Sequence, residues 1–248
     1  MLQFLPDTEE KLAQSFLEKF EKAKTIRQNF EDIFDECYDY AMPMREQFRS
    51  KTIGERRDEK IFDETAVVGV QEFASRLQQG LVPNFARWAD LVAGSEVALE
   101  ERDGLNNQLD DVTEYVFEIL QNSNFSQAVH ESFMDLAVGT GVLYVDEGDA
   151  INPISFSAIP LPHVVLDVGP NDKVDHVYRE RNVRYSDLPF LFPDTDLGQE
   201  LTNYVMTSPD AKTKILEVVC KNYTKINEDS FFCIVIETKT KKIFLSLH

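Results

Sequence analysis

The sequence predicts an α+β fold: a long N-terminal helix and further helices, followed by a mostly antiparallel β region. Three observations carry that prediction. An apolar stripe at helical period runs for more than thirty residues from Asp7. Two stretches after residue 60 combine one-sided apolar faces with helix start and stop residues. Beyond Gly148 the texture changes to short β-type runs separated by turn residues. The change near residue 148 divides the chain into a helical region, 1–148, and a β-rich region, 149–248.

The first helix is defined by Leu12, Phe16, Phe20, Ala23, Ile26, Phe30, Ile33, Phe34, Cys37 and Ala41 on one stripe. Asp7 is expected to cap it, and Met42-Pro43 to end it, because proline disfavours helix in the residue before it. The segment from Arg45 to Lys60 holds six basic residues among four acidic ones and reads as an exposed connector. A second helix is expected with Asp63 as N-cap, Val67, Val70, Phe73, Ala74 and Leu77 on its apolar face, Gly80 as its stop and Pro83 beyond. A third is expected from about Glu100 to Gln121, with Leu105, Leu109, Val112, Val116, Ile119 and Leu120 opposite Asp110, Asp111, Glu114 and Glu118. A fourth covers Phe125 to Ala137. There Gly139-Thr140-Gly141 breaks the chain before a strand opens at Val142.

Seven β-type runs are expected: 142–145, then 154–159, 163–168, 174–183, 215–226 and 231–238, with the last at 243–247 closing a meander. Brief helices near Ser186 to Phe192 and Leu197 to Met206 interrupt them. Asn227 to Ser230 and Thr238 to Lys242 read as hairpin turns.

Composition limits the chemistry. A chain of 248 residues with 43% apolar side chains can bury a core of one large or two modest domains. Its 44 acidic against 25 basic residues give a net charge of −19, which excludes generic attraction to phosphate backbones. Cys37, Cys220 and Cys233 neither form a disulfide framework nor stand at CxxC spacing, which fits a reducing cytoplasm. No apolar run is long enough to span a bilayer, so no membrane is expected as a partner. The sequon-like Asn222-Tyr223-Thr224 is too short a pattern to carry weight.

No catalytic constellation stands out. The glycines at 139–141 follow a helix and precede a strand, the reverse of a phosphate-cradling loop. His130, His163, His176 and His248 form no metal-ligand spacing. Ser126, Ser155 and Ser230 lack a nucleophile elbow. The expectation is a protein without enzyme activity, cofactor or metal. One feature is unusual: from Asp90 to Ala150 there are fourteen acidic residues and one basic residue, Arg102. Asp110, Asp111, Glu114 and Glu118 form a candidate acidic surface. Such a face is either the solvated surface of an acidic chain or one turned toward DNA that must slide past without sticking, or toward a basic partner.

The stretch IFDETAVVGVQEFASRLQQGLVPNFARW carries a resemblance. Ile61, Phe62, Asp63, Thr65 and Ala66 open it, Phe73, Ala74, Leu77, Gly80, Leu81 and Pro83 follow, and an arginine–tryptophan pair ends it at Trp88. Asn124-Phe125 leading into HESFMDLAVGTGVLYVDEG, and then IPLPHVVLDVGPNDKVDHVYRERNVRYSDLPFLFP, continue the pattern in order and spacing. Together these blocks resemble the N-terminal half of the head-to-tail connector (portal) proteins of short-tailed bacteriophages. The resemblance implies a structural subunit of a dodecameric ring at the capsid portal vertex, through which DNA is packaged and ejected. The implied partners are further copies of the chain, capsid, terminase and tail proteins, and DNA passing through without sequence-specific binding. The protein would be made in the host cytoplasm and reside in the virion. Residues 1–148 would then be a wing-like body. Family members are longer, so region 149–248 is expected to stop before the channel-forming part. The alternative is a stand-alone oligomerisation or adaptor module that kept the portal fold without the channel.

Overall fold

The computed structural model describes residues 9–45, 61–169, 172–222 and 230–247. The expected Asp7 cap, the basic connector beyond Arg45, most of the sequon, the turn at 227–229 and His248 lie outside the described residues. The elements are α1 (Glu9–Ala41), α2 (Thr65–Leu81), α3 (Leu99–Asn122), α4 (Phe125–Val138), β1 (Val142–Glu147), β2 (Ile154–Ile159), β3 (Val164–Val168), β4 (Val174–Arg184), α5 (Leu188–Leu191), α6 (Gly198–Thr207), β5 (Lys212–Lys221), β6 (Phe231–Glu237) and β7 (Ile243–Leu247). N-terminal helices followed by antiparallel sheets make the fold α+β, as the patterning predicts. Contacts divide the chain into two compact units, residues 33–161 and residues 1–32 with 162–248.

In the second of these units β3 to β7 form an antiparallel meander in chain order. Alternation in β4, β5 and β6 sends Tyr178, Leu216, Val218, Cys220, Ile234 and Ile236 to one face, where Ala13, Phe16, Phe20 and Ala23 of α1 cover them. Phe20 lies tilted against Tyr178 at 5.6 Å between ring centroids. Val183, Ile215, Val235 and Phe244 pack with Leu188 and Leu201 of α5 and α6 in a second core. The unit is therefore a helix–sheet–helix sandwich. Its buried carboxylate, Glu237, accepts bonds from the Thr213 hydroxyl and from the Thr240 N–H at 2.5 Å, which fixes the turn between β6 and β7.

The stripe on α1 departs from the expected one in its middle. Ile26, Phe30 and Ile33 are more than half exposed, and the inward positions are Arg27 and Glu31. Arg27 Nη1 donates to the carbonyls of Pro162 (3.1 Å) and Val164 (2.6 Å), and its Nη2 pairs with Glu31 at 2.6 Å. The chain re-enters this unit at Pro162, where backbone carbonyls lie within reach of α1. A guanidinium satisfies two of them, which an isoleucine cannot do.

In the unit 33–161, the end of α1 contributes Phe34, Tyr38 and Met42 to a small core with Leu161, Val70, Met134 and Val138. α4 lies between α2 and the β1–β2 hairpin. Gly139 and Gly141 turn the chain from α4 into β1; a Cβ at Gly141 would stand 2.4 Å from the Ser132 carbonyl oxygen, so only glycine permits that approach. The fully buried Asp135 on α4 accepts a bond from Tyr38 Oη at 2.5 Å and from Arg45 Nη2 at 2.5 Å, while Arg45 Nη1 pairs with Glu131 at 2.8 Å. Two carboxylates of the acidic stretch from Asp90 to Ala150 are thus engaged internally. Burial, and then Asp135, raises the Tyr38 pKa well above the ordinary phenol value. Burial alone would lower the Arg45 pKa, but bonding to Asp135 reverses this and raises it.

Two outcomes test this packing. Arg45→Met strands the Asp135 charge in the interior and should lower unfolding stability by about 3–5 kcal/mol in urea titrations. Burial pushes the Cys220 thiol up to about 12. A thiol reagent at pH 8 should therefore modify Cys37 while Cys220 stays unreacted until the protein unfolds.

Candidate functional site

The residues from Ile61 to Trp88 form a helix and an extended arm. Asp63 acts one position earlier than expected. Its carboxylate accepts the Thr65 N–H at 2.6 Å, Glu64 occupies the N-cap position, and bonds from the Thr65 side chain and then its backbone hold the Asp63 pKa below its ordinary value. Gly80 is not the stop: α2 continues to Leu81, and the Val82 N–H closes on the Gln78 carbonyl at 2.9 Å. Of the anticipated apolar face only Ala74 is buried, with Val67, Val70 and Leu77 partly covered and Phe73 exposed. Ala66, Leu81 and Phe62 are exposed, the last at 97%, and Ile61 and Pro83 are partly covered. Helical periodicity marks which residues share a face; it does not say that the same subunit covers it.

After Pro83 the chain runs without regular structure to α3 and is pinned along that helix by side chains one and two turns apart. Arg87 Nε pairs with Asp90 at 2.5 Å and its Nη2 with Asp110. Trp88 lies edge-on to Phe117 at 5.3 Å and stacks on Phe125 at 6.1 Å, and Phe125 meets Phe156 of β2 at 5.0 Å. The Leu91 N–H donates to Thr113 Oγ1 (3.2 Å) and the Ala93 N–H to Asn106 Oδ1 (2.8 Å). Asn106, Asp110, Thr113 and Phe117 therefore make one face of α3 into a rail for the arm. Thr113 is the buried residue of α3, whereas Val112 and Val116, expected inside, are exposed. At the far end Gln78 donates to the Ser126 carbonyl (2.9 Å) and contacts His130 Nδ1 (3.1 Å), tying α2 to α4.

The four acidic candidates on α3 separate into two kinds. Asp110 is held by Arg87, whose pKa that bond raises. Asp111, Glu114 and Glu118 point away from the rail, are exposed, and have no ion-pair partner among the described residues. Arg87, Asn106, Thr113, Gln78 and Asn124 are the contributors that periodicity does not single out. Asn124 pairs its amide with both backbone groups of Phe156, at 2.6 and 3.0 Å. For Arg87 and Asn124 the signal is a polar residue next to an aromatic one outside the helices; Gln78, Asn106 and Thr113 lie within helices and carry no such signal.

Among the described residues no group of three His, Cys, Asp or Glu side chains could hold a metal ion, and no helix is long and apolar enough to cross a membrane. What the unit does offer is apolar contact surface. Phe62, Phe85 (93% exposed), Val92, Leu99, Tyr115 and Ile151 all reach solvent within the described structure.

A comparison with protein families matches residues 13–243 to the bacteriophage head to tail connecting protein family. The chain belongs to that family. A search of curated proteins found no match. Family membership implies a role in the connector between phage head and tail. Arg87 and Trp88 hold the arm against α3.

The chain has one tryptophan, so the arm carries its own reporter. Asp110→Asn should release Arg87, shift Trp88 emission to the red and increase its quenching by acrylamide. Asp111→Asn, next to it in the chain but facing away from the rail, should leave both unchanged.

Proposed function

We propose that this connector protein is a portal subunit: copies close into a dodecameric ring at the capsid vertex, through which DNA is packaged and ejected. The capsid, the terminase and the tail proteins are its partners, and the assembled protein resides in the virion. Residues 1–148 serve as the helical wing-like body and residues 149–248 as the β-rich region that follows. The observation that carries the reading is the combination of the family match over residues 13–243 with the large exposed apolar side chains between residues 62 and 151. A closed ring larger than a dimer needs two different surfaces per subunit that fit each other, and surface of this kind is what such an interface consumes. The net charge of −19 supports passage of DNA without adhesion.

Native mass spectrometry of the full chain should show a closed ring at or near twelve copies, and a monomer at micromolar concentration would overturn the reading. Phe62→Ser with Phe85→Ser should reduce the assembled fraction without lowering the melting temperature of the monomer. Both side chains are almost wholly exposed within the subunit.

A further inference from the structure

We propose that the outward face of α3 docks against the end of the five-stranded sheet of a second copy of this chain, where β4, β5 and the β6–β7 turn meet. The inference rests on the ring reading and names the two surfaces that would join.

The first surface carries Glu100, Asp111, Glu114 and Glu118, with Tyr115 (63% exposed) beside them. Like charges one turn apart destabilise a helix unless something neutralises them. The described part of unit 33–161 cannot do so. It has four arginines and no lysine, and every arginine is engaged: Arg45 with Glu131 and Asp135, Arg76 with Glu72, Arg87 with Asp90 and Asp110, and Arg102 with the carbonyls of Val97 and Ser95.

The second surface has the opposite fault. Arg184 of β4 stands directly across from Lys212 of β5, two like charges in cross-strand register. The turn bearing Lys239 and Lys242 is bonded beside them, through the Thr238 N–H to the Lys214 carbonyl at 3.0 Å. Lys214 has Glu180, Lys239 has the Tyr204 hydroxyl, and Lys241 borders a shallow groove with Glu10 and Glu18. Arg184, Lys212 and Lys242 have no ion-pair partner among the described residues, and Asp187 and Asp210 are the only acids on the adjoining turns. Met206, exposed at the end of α6, supplies the apolar contact. Each surface repels itself and complements the other in sign, and each pairs charge with exposed apolar area.

The test is charge reversal in the full chain, read by native mass spectrometry and sedimentation at about physiological salt. Glu114→Lys with Glu118→Lys, and separately Arg184→Glu with Lys212→Glu, should each weaken subunit association by roughly tenfold or more. The chain carrying all four substitutions should recover assembly. That rescue excludes misfolding as the cause, because the two pairs lie in different units. If wild-type chain assembles and either reversal leaves assembly unchanged, or if the fourfold variant stays as defective as its parents, the docking is overturned while the ring reading stands. A wild-type chain that never assembles overturns both. Reversals that spare assembly but change DNA passage would assign the α3 face to DNA instead and overturn the docking.

Discussion

One helix has to supply cores to two units, and much of the architecture follows from how α1 does it. It gives Ala13, Phe16, Phe20 and Ala23 to one core and Phe34 and Tyr38 to the other. Between these apolar stretches stand Arg27 and Glu31, where the helix meets the backbone carbonyls of Pro162 and Val164. The apolar residues of the same stretch, Ile26, Phe30 and Ile33, are turned outward as a result. An arginine bridging two carbonyls and a glutamate stabilises this crossing by satisfying donors and acceptors, whereas apolar burial there would leave them stranded.

The same economy of charge holds across the chain. Residues 33–161 contain 24 of the acidic and nine of the basic residues, and the remaining residues contain 20 and 16, so most of the net charge sits in one unit. The few arginines described in that unit are committed to carboxylates or carbonyls that must be satisfied: Asp135 because it is buried, Asp110 because it anchors the arm. Among the described residues, Asp111, Glu114 and Glu118 of α3 are exposed and have no such ion-pair partner.

Legibility followed the same division. The order and type of the elements were readable, since period 3.6 and period 2 are properties of local sequence; strands at 154–159 and 243–247 and the helix–glycine–strand passage at 138–142 stand where patterning puts them. The expected short helix at 186–192 resolved into a turn of 3-10 helix over 185–187 and a four-residue α5, within reach of the same signal. What patterning could not give was the identity of the buried face. Val112 and Val116 of α3 and Phe73 of α2 lie on apolar stripes but face solvent, while Thr113 and Asp135 are buried. Hydrophobicity ranks residues for burial against anything, including another chain. Thr113 is buried for what its hydroxyl bonds, the Leu109 carbonyl at 2.7 Å and the Leu91 N–H, and no periodic pattern reports a partner twenty-two residues away. Arg87 belongs with it: the conspicuous Trp88 beside it is visible in sequence, but its choice of Asp110 over Asp111 depends on helix phase against an irregular arm.

Self-repelling surfaces also bear on which assemblies are excluded. If two copies approached with α3 facing α3, carboxylates at 111, 114 and 118 would meet their own kind across a low-dielectric contact, and the sheet ends would do the same with arginine and lysine. Two-fold pairing through either surface is thereby disfavoured. Only an arrangement in which one surface meets the other brings opposite charges together, and that is the heterologous contact from which rings grow. Specificity of this kind comes as much from what is made unfavourable as from what is gained.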